Sequence, residues 1–145
     1  MKNIILPCVY SIAASLGFGI FFNLKSGKLA AAALGGGVGW LVYLATLPFG
    51  NDITGSFAAA LAITAYAELM ARIQYSPVSI YLAPALIPLV PGAVLYRAML
   101  LAITGDTVNA ISTGFHALII TGALAIGIVT ASSLLRIMIY RKRLK

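Results

Sequence analysis

The chain has 145 residues, of which 61% are hydrophobic and 9% charged, with a net charge of +7 and a mean hydropathy of +1.03. Soluble domains are about 45–50% apolar and about 25% charged, so this composition excludes both a water-soluble globule and a disordered chain. What remains is an all-α, polytopic membrane helix bundle with spans of about 20 apolar residues.

Five segments are apolar enough to span, at about residues 4–22, 29–47, 53–71, 78–104 and 108–135, followed by a basic tail at 136–145. The opening stretch resembles a signal peptide with a small-x-small site near Ala13, but its apolar run continues through Gly17 and Gly19 to Phe22. It therefore reads as a retained span, with Asn23 capping its C-terminus. Cys8 is the only cysteine, which leaves no intrachain disulfide or thiolate cluster and makes it a small apolar residue within a helix.

The second span carries Ala31, Gly35 and Gly39 at four-residue spacing, beside Gly36 and Gly37; the fifth carries Ala123, Gly127 and Ala131 in the same register. The third span is alanine-rich. Lipid gives helices no hydrophobic reason to pair, so small residues that admit close backbone approach supply the contact. These faces suit packing within the chain or against a partner subunit.

The fourth span is interrupted by Pro84, Pro88 and Pro91-Gly92. Each proline removes a backbone donor and strands a carbonyl about one turn earlier. Such groups are tolerated at membrane depth only where protein or a water-filled cavity covers them. The pattern fits either a broken helix facing a substrate site, as in many transporters, or a kinked structural span.

Four polar positions compete for chemical roles. Arg97 lies seven residues before Thr104, about 10 Å from the outer end of a helix. A guanidinium near mid-bilayer costs about 2.5–3.5 kcal/mol, so it should fork a carboxylate, or else snorkel to the interface. Glu68 has Arg72 at i+4, which suits a helix-end ion pair or a carboxylate that serves a substrate amine or a proton. Asp106 suits the cap of the fifth span and, secondarily, a gate. His116 suits an inter-helix hydrogen bond or a proton relay.

No metal set, cofactor motif, P-loop, HExxH or GxSxG is present, so neither enzyme chemistry nor ATP drive on this chain is expected. The basic residues point to lipid rather than nucleic acid, since five of the ten lie in the last ten positions after an apolar run. With five spans and an outer N-terminus, Lys25, Lys28, Arg72, Arg136, Arg141, Lys142, Arg143 and Lys145 face the cytoplasm, with Lys2, Asp52 and Asp106 outside. A re-entrant fourth segment would put both termini inside but only six basic residues there, so the positive-inside rule favours five spans, N-out and C-in.

The run Phe18 to Asn23, Ala67 to Arg72, and the stretch Pro84 to Gly92 followed by Tyr96-Arg97 and Gly105-Asp106 resemble the threonine/serine exporter family. The resemblance is to its small all-membrane subunit, equivalent to the C-terminal half of fused exporters. It implies a secondary transporter of the bacterial cytoplasmic membrane that exports small amino acids, or dicarboxylates such as succinate in some two-subunit members. It also implies a larger partner with further spans and a cytoplasmic portion; the small-residue faces suit a homo-oligomer equally. By that resemblance Pro88, Pro91, Gly92, Tyr96, Arg97 and Glu68 are candidate substrate-pathway residues. A non-transporting scaffold that stabilises a larger partner is the alternative.

Overall fold

The computed structural model describes residues 2–143. The side chains of residues 1–4, 26 and 138–145 lie outside that description, and with them the basic groups expected at Lys2, Arg141, Lys142, Arg143 and Lys145. The chain is 88% helix with no strand among the described residues, an all-helical bundle with a proline-broken fourth helix, as its composition requires. Helix α1 runs Lys2–Phe21, α2 Ser26–Thr46, α3 Asp52–Ile73, α4 Ser79–Leu86, α5 Gly92–Ile103 and α6 Thr107–Arg143. Single 3-10 turns occupy Leu47–Phe49 and Ile87–Leu89.

Three stretches, Gly27–Phe49, Asp52–Ile73 and Thr107–Ile137, are long and apolar enough to cross a membrane; the bent pair Ser79–Leu89 plus Gly92–Ile103 makes a fourth if counted as one span. A shorter apolar helix covers Ile5–Phe21.

Local chemistry sets the helix ends. Asn23 takes φ 58, and the Leu24 N–H reaches back to the Gly19 carbonyl at 3.0 Å, a left-handed cap that closes α1. Helix α3 opens on a reciprocal capping box: Thr54 N–H donates to Asn51 Oδ1 at 3.1 Å, and Asn51 N–H donates to Thr54 Oγ1 at 2.9 Å. Gly105 at φ 88 ends α5, with Asp106 N–H donating to the Leu101 carbonyl at 3.0 Å. Asp106 then starts α6, its Oδ2 accepting from the Asn109 side chain at 2.7 Å and its Oδ1 from the Asn109 N–H at 3.3 Å.

The small-residue stripes close within the chain. Gly36 faces Ser15 of α1, Gly35 faces Ala85 and Tyr66, Gly39 faces Ile63, and Gly127 lies against Phe57 and Ala60 of α3. Two apolar clusters result, one around Ala59, Ala60, Ile63, Ala85, Leu89 and Leu124, the other around Ala31, Ala32, Ala67, Ala71 and Tyr81. Three hydroxyls link elements of the bundle: Ser11 donates to the Gly36 carbonyl at 2.8 Å, Tyr66 to the Ala31 carbonyl at 2.8 Å, and Tyr81 to Gln74 Oε1 at 3.1 Å, while the buried Ser15 hydroxyl has no partner among the described residues.

Two contacts give the bundle its polarity. Gln74 donates to the Gly27 carbonyl at 3.4 Å, so the α1–α2 and α3–α4 turns share one end. His116 faces Asp52 at the start of α3, and Gly127 meets α3 further along, so α6 runs in the same direction as α3. Lys25, Lys28, Arg72 and Arg136 therefore gather at one end, with Asp52 and Asp106 towards the other. At 37 residues α6 is about 55 Å long, well beyond the about 30 Å of a hydrocarbon core. Helix α5 packs on the first part of α6 and buries none of its residues fully.

Candidate functional site

The fourth helix breaks where its prolines require it. Pro84 sits within α4, Pro88 in the following 3-10 turn, and Val90 is driven to an extended conformation (φ −64, ψ 131) by the proline after it. Pro91 (φ −76, ψ 51) closes a three-residue turn in which Gly92 N–H donates to the Val90 carbonyl at 2.7 Å. The two halves meet at 46°.

This break walls a cavity of about 200 Å³ between α2, α3 and α6. Its apolar side comes from Pro88 to Pro91, Ala93, Val94 and Ile120, and its polar side from Trp40, Tyr43, Asp52 and Ser56. A second, apolar cavity of about 330 Å³ lies on the α1 side, lined by Pro7, Tyr10, Ser11 and Ala14. Trp40 and Pro88 line both, so they form a shared partition.

The polar wall is built locally. Asn51 caps α3, which makes Asp52 its first residue, where a carboxylate is favoured by the helix dipole. The short α2–α3 connection returns the chain so that Tyr43, in the last turn of α2, donates to Asp52 Oδ1 at 3.4 Å. Trp40 is one turn earlier on the same face, its ring 5.3 Å from that of Tyr43. From α6, His116 Nε2 stands 3.7 Å from Asp52 Oδ2, an ion-pair separation when the imidazole is protonated. The mouth is partly open, with the Asp52 and His116 side chains 55% and 44% exposed. Ser56 spends its hydroxyl on the Asp52 carbonyl at 2.7 Å. Trp40 Nε1 is buried and has no hydrogen-bond partner among the described residues.

The sequence-predicted positions divide between this cavity and places away from it. Pro88 and Pro91 line the cavity, Gly92 opens α5 just past it, and His116 reaches its mouth. Tyr96 and Arg97 lie on the exposed side of α5 and do not line the cavity, Tyr96 being 66% exposed. Glu68 is 16 residues along α3 from Asp52, about 24 Å away on the helix axis. There it accepts from Arg72 Nη2 at 3.5 Å. Asp106 is occupied in capping α6. Among the described residues no group of three His, Cys, Asp or Glu side chains is placed to hold a metal.

No local sequence pattern marks Asp52, Tyr43 and Trp40 as a site. Asn51-Asp52 reads there as turn chemistry, and Trp and Tyr near a span end read as an interfacial belt. The available signal was the Trp40–Tyr43 spacing of three, which puts both rings on one helix face just before a tight return carrying a carboxylate.

Residues 7–134 match the family described as Threonine/Serine exporter, ThrE. No solved structure matches the chain. The matched segment covers most of the 145 residues, and the chain belongs to the threonine/serine exporter family, a family of membrane transporters.

Proposed function

We propose that this member of the threonine/serine exporter family is a subunit of a secondary transporter that moves small amino acids, of the threonine and serine type, out of the bacterial cytoplasm across the inner membrane. The observation that carries this reading is the cavity at the fourth-helix break, because stranded backbone groups at membrane depth belong where a cavity or protein covers them. An ion gradient drives the export, and no cofactor takes part. Succinate is the variant substrate in which the solute is a dicarboxylate.

In this reading the solute passes Pro88, Pro91 and Gly92. A larger partner subunit, or a second copy, covers the exposed side of α5, so that Arg97 and Tyr96 stand in the seam between subunits and hold the solute carboxylate there. Glu68, at the opposite end, serves the amine or a proton. His116 and Asp106 act as relay or gate. The gathering of Lys25, Lys28, Arg72 and Arg136 at one end supports an outer N-terminus and a cytoplasmic C-terminus by the positive-inside rule.

The test is threonine, serine and succinate efflux from cells that lack the chain and are complemented with it, with and without the neighbouring reading frame. Complementation should restore efflux of at least one of these solutes. If Arg97→Ala and Glu68→Ala export normally at both saturating and limiting substrate, the pathway assignment fails.

A second reading, a scaffold that stabilises a transporting partner, draws support from α5. That helix packs on α6, and its exposed side suits a partner's helices. Cysteine accessibility across Ala83 to Arg97 separates the two, because a scaffold gives neither aqueous access nor substrate protection.

A further inference from the structure

We propose that Asp52, Tyr43 and Trp40 form an ammonium-binding site in the cavity at the fourth-helix break, so that its ligand is a small solute bearing a primary ammonium. This rests on the reading of that cavity as part of the solute pathway. Neither Asp52 nor the two aromatics belongs to the pathway residues inferred from sequence.

Three properties of the cavity lead to this ligand. The first is charge. The residues lining it include one carboxylate and no lysine or arginine, and among the described residues the one basic group within 4.0 Å of Asp52 is His116, at 3.7 Å. The Asp52 carboxylate stands at the open mouth, 55% exposed, and its single long bond from Tyr43 at 3.4 Å leaves acceptor capacity free for a ligand's donors.

The second is geometry. An ammonium has three donors and no acceptor, which suits two carboxylate oxygens and the Tyr43 hydroxyl oxygen. The Trp40 and Tyr43 rings, 5.3 Å apart, line the same cavity as Asp52, and electron-rich rings of this kind attract organic cations.

The third is size. At about 200 Å³ the cavity is below the about 300–1,000 Å³ of pockets for drug-sized ligands, and it equals about seven waters at about 30 Å³ each. A small amino acid fits this space. A dicarboxylate would bring two negative charges to a site that already holds one, so the site disfavours succinate.

The chain carries one tryptophan, Trp40, in the wall of the site, so its intrinsic fluorescence reports occupancy. The full chain in lipid nanodiscs is titrated with L-threonine, with threoninol (ammonium without carboxylate), with 3-hydroxybutyrate (carboxylate without ammonium) and with succinate. Threonine and threoninol should shift the emission saturably, whereas 3-hydroxybutyrate and succinate should not. Asp52→Asn should raise the threonine Kd at least tenfold, Asp52→Glu should restore part of the affinity, and Tyr43→Phe should weaken it severalfold. Helicity and melting of each variant are measured alongside, and if Asp52→Asn fails to fold, Tyr43→Phe and the four-ligand comparison decide.

Wild-type-like threonine binding by folded Asp52→Asn overturns the proposal. So does 3-hydroxybutyrate binding as well as threonine, or no response to either ammonium compound. Failure of the exporter reading is distinguishable. Cells whose efflux does not depend on the chain, alongside an intact threoninol titration, would remove the exporter role and leave the ammonium site. Efflux that depends on the chain, with an unchanged threonine KM in Asp52→Asn, would do the reverse.

Discussion

Replacing Gly127 by alanine should force α3 and α6 apart. A Cβ added at Gly127 would stand 2.8 Å from both the Phe57 carbonyl oxygen and the Ala60 Cβ. Carbon–carbon contacts are most favourable at about 3.5–4.0 Å, so the helices must separate by several tenths of an ångström or more. One obstacle is the backbone of a packed helix, which cannot rotate away as a side chain can. Overpacking of this kind costs about 1–3 kcal/mol, a factor of about 5 to 140 in the folding equilibrium at about 1.4 kcal/mol per tenfold. Gly122, five residues earlier on the same helix, has no neighbour within 4 Å of such a Cβ. Alanine there only relieves glycine's conformational entropy, a gain of about 0.5–1 kcal/mol in a helix interior. Unfolding in bicelles, followed by Trp40 emission, should therefore show Gly127→Ala destabilised and Gly122→Ala equal to or above wild type. Equal stability of both variants, or a more stable Gly127→Ala, would refute close backbone approach as what joins α3 to α6.

Gly105→Ala should cost about 1–2 kcal/mol in the same unfolding assay, because φ 88 is left-handed even though the surrounding space is open. Glu68→Gln should change stability by only about 0.5 kcal/mol, since the i,i+4 contact is long at 3.5 Å and, although the Glu68 side chain is 14% exposed, Arg72 is 47% exposed. Efflux by that variant should nonetheless fall severalfold, and normal efflux would return Glu68 to a helix-end role. Pro91→Ala restores a backbone donor at the break, and efflux should drop about tenfold, worth about 1.4 kcal/mol in barrier height, with membrane insertion unchanged. Normal efflux by Pro91→Ala would contradict a role for the break in transport.

The features readable from sequence are those set by local chemistry. Pro84, Pro88 and Pro91 with Gly92 announce a broken helix because each proline deletes a donor, wherever the helix packs. Asn23, Gly105 and Asp106 punctuate helices through their own backbone and side chains. The stripe of Ala31, Gly35 and Gly39 states that something approaches closely, and the structure adds that α3 and α4 do so. Pairings between distant elements are not written in any local pattern. His116 meets Asp52 across 64 residues only because α6 runs alongside α3 in the same direction. The placement of Arg97 likewise depends on the 46° bend at the break, which carries α5 along α6 and leaves its guanidinium outside the cavity that the same prolines line. Composition and hydropathy report neither the bend angle nor which side of α5 faces the bundle.

The central claim, a solute pathway at the fourth-helix break, is tested most directly by substrate protection of engineered thiols. With Cys8 replaced by serine, single cysteines are placed at Val90 and Ala93, which line the cavity, and at Leu118 on the exposed apolar side of α6. Each is labelled with a membrane-impermeant thiosulfonate, with and without threonine. Val90→Cys and Ala93→Cys should label readily and threonine should slow both, while Leu118→Cys stays unreactive in either condition. Labelling at positions 90 and 93 that ignores threonine, or that is as slow as at 118, would contradict that claim.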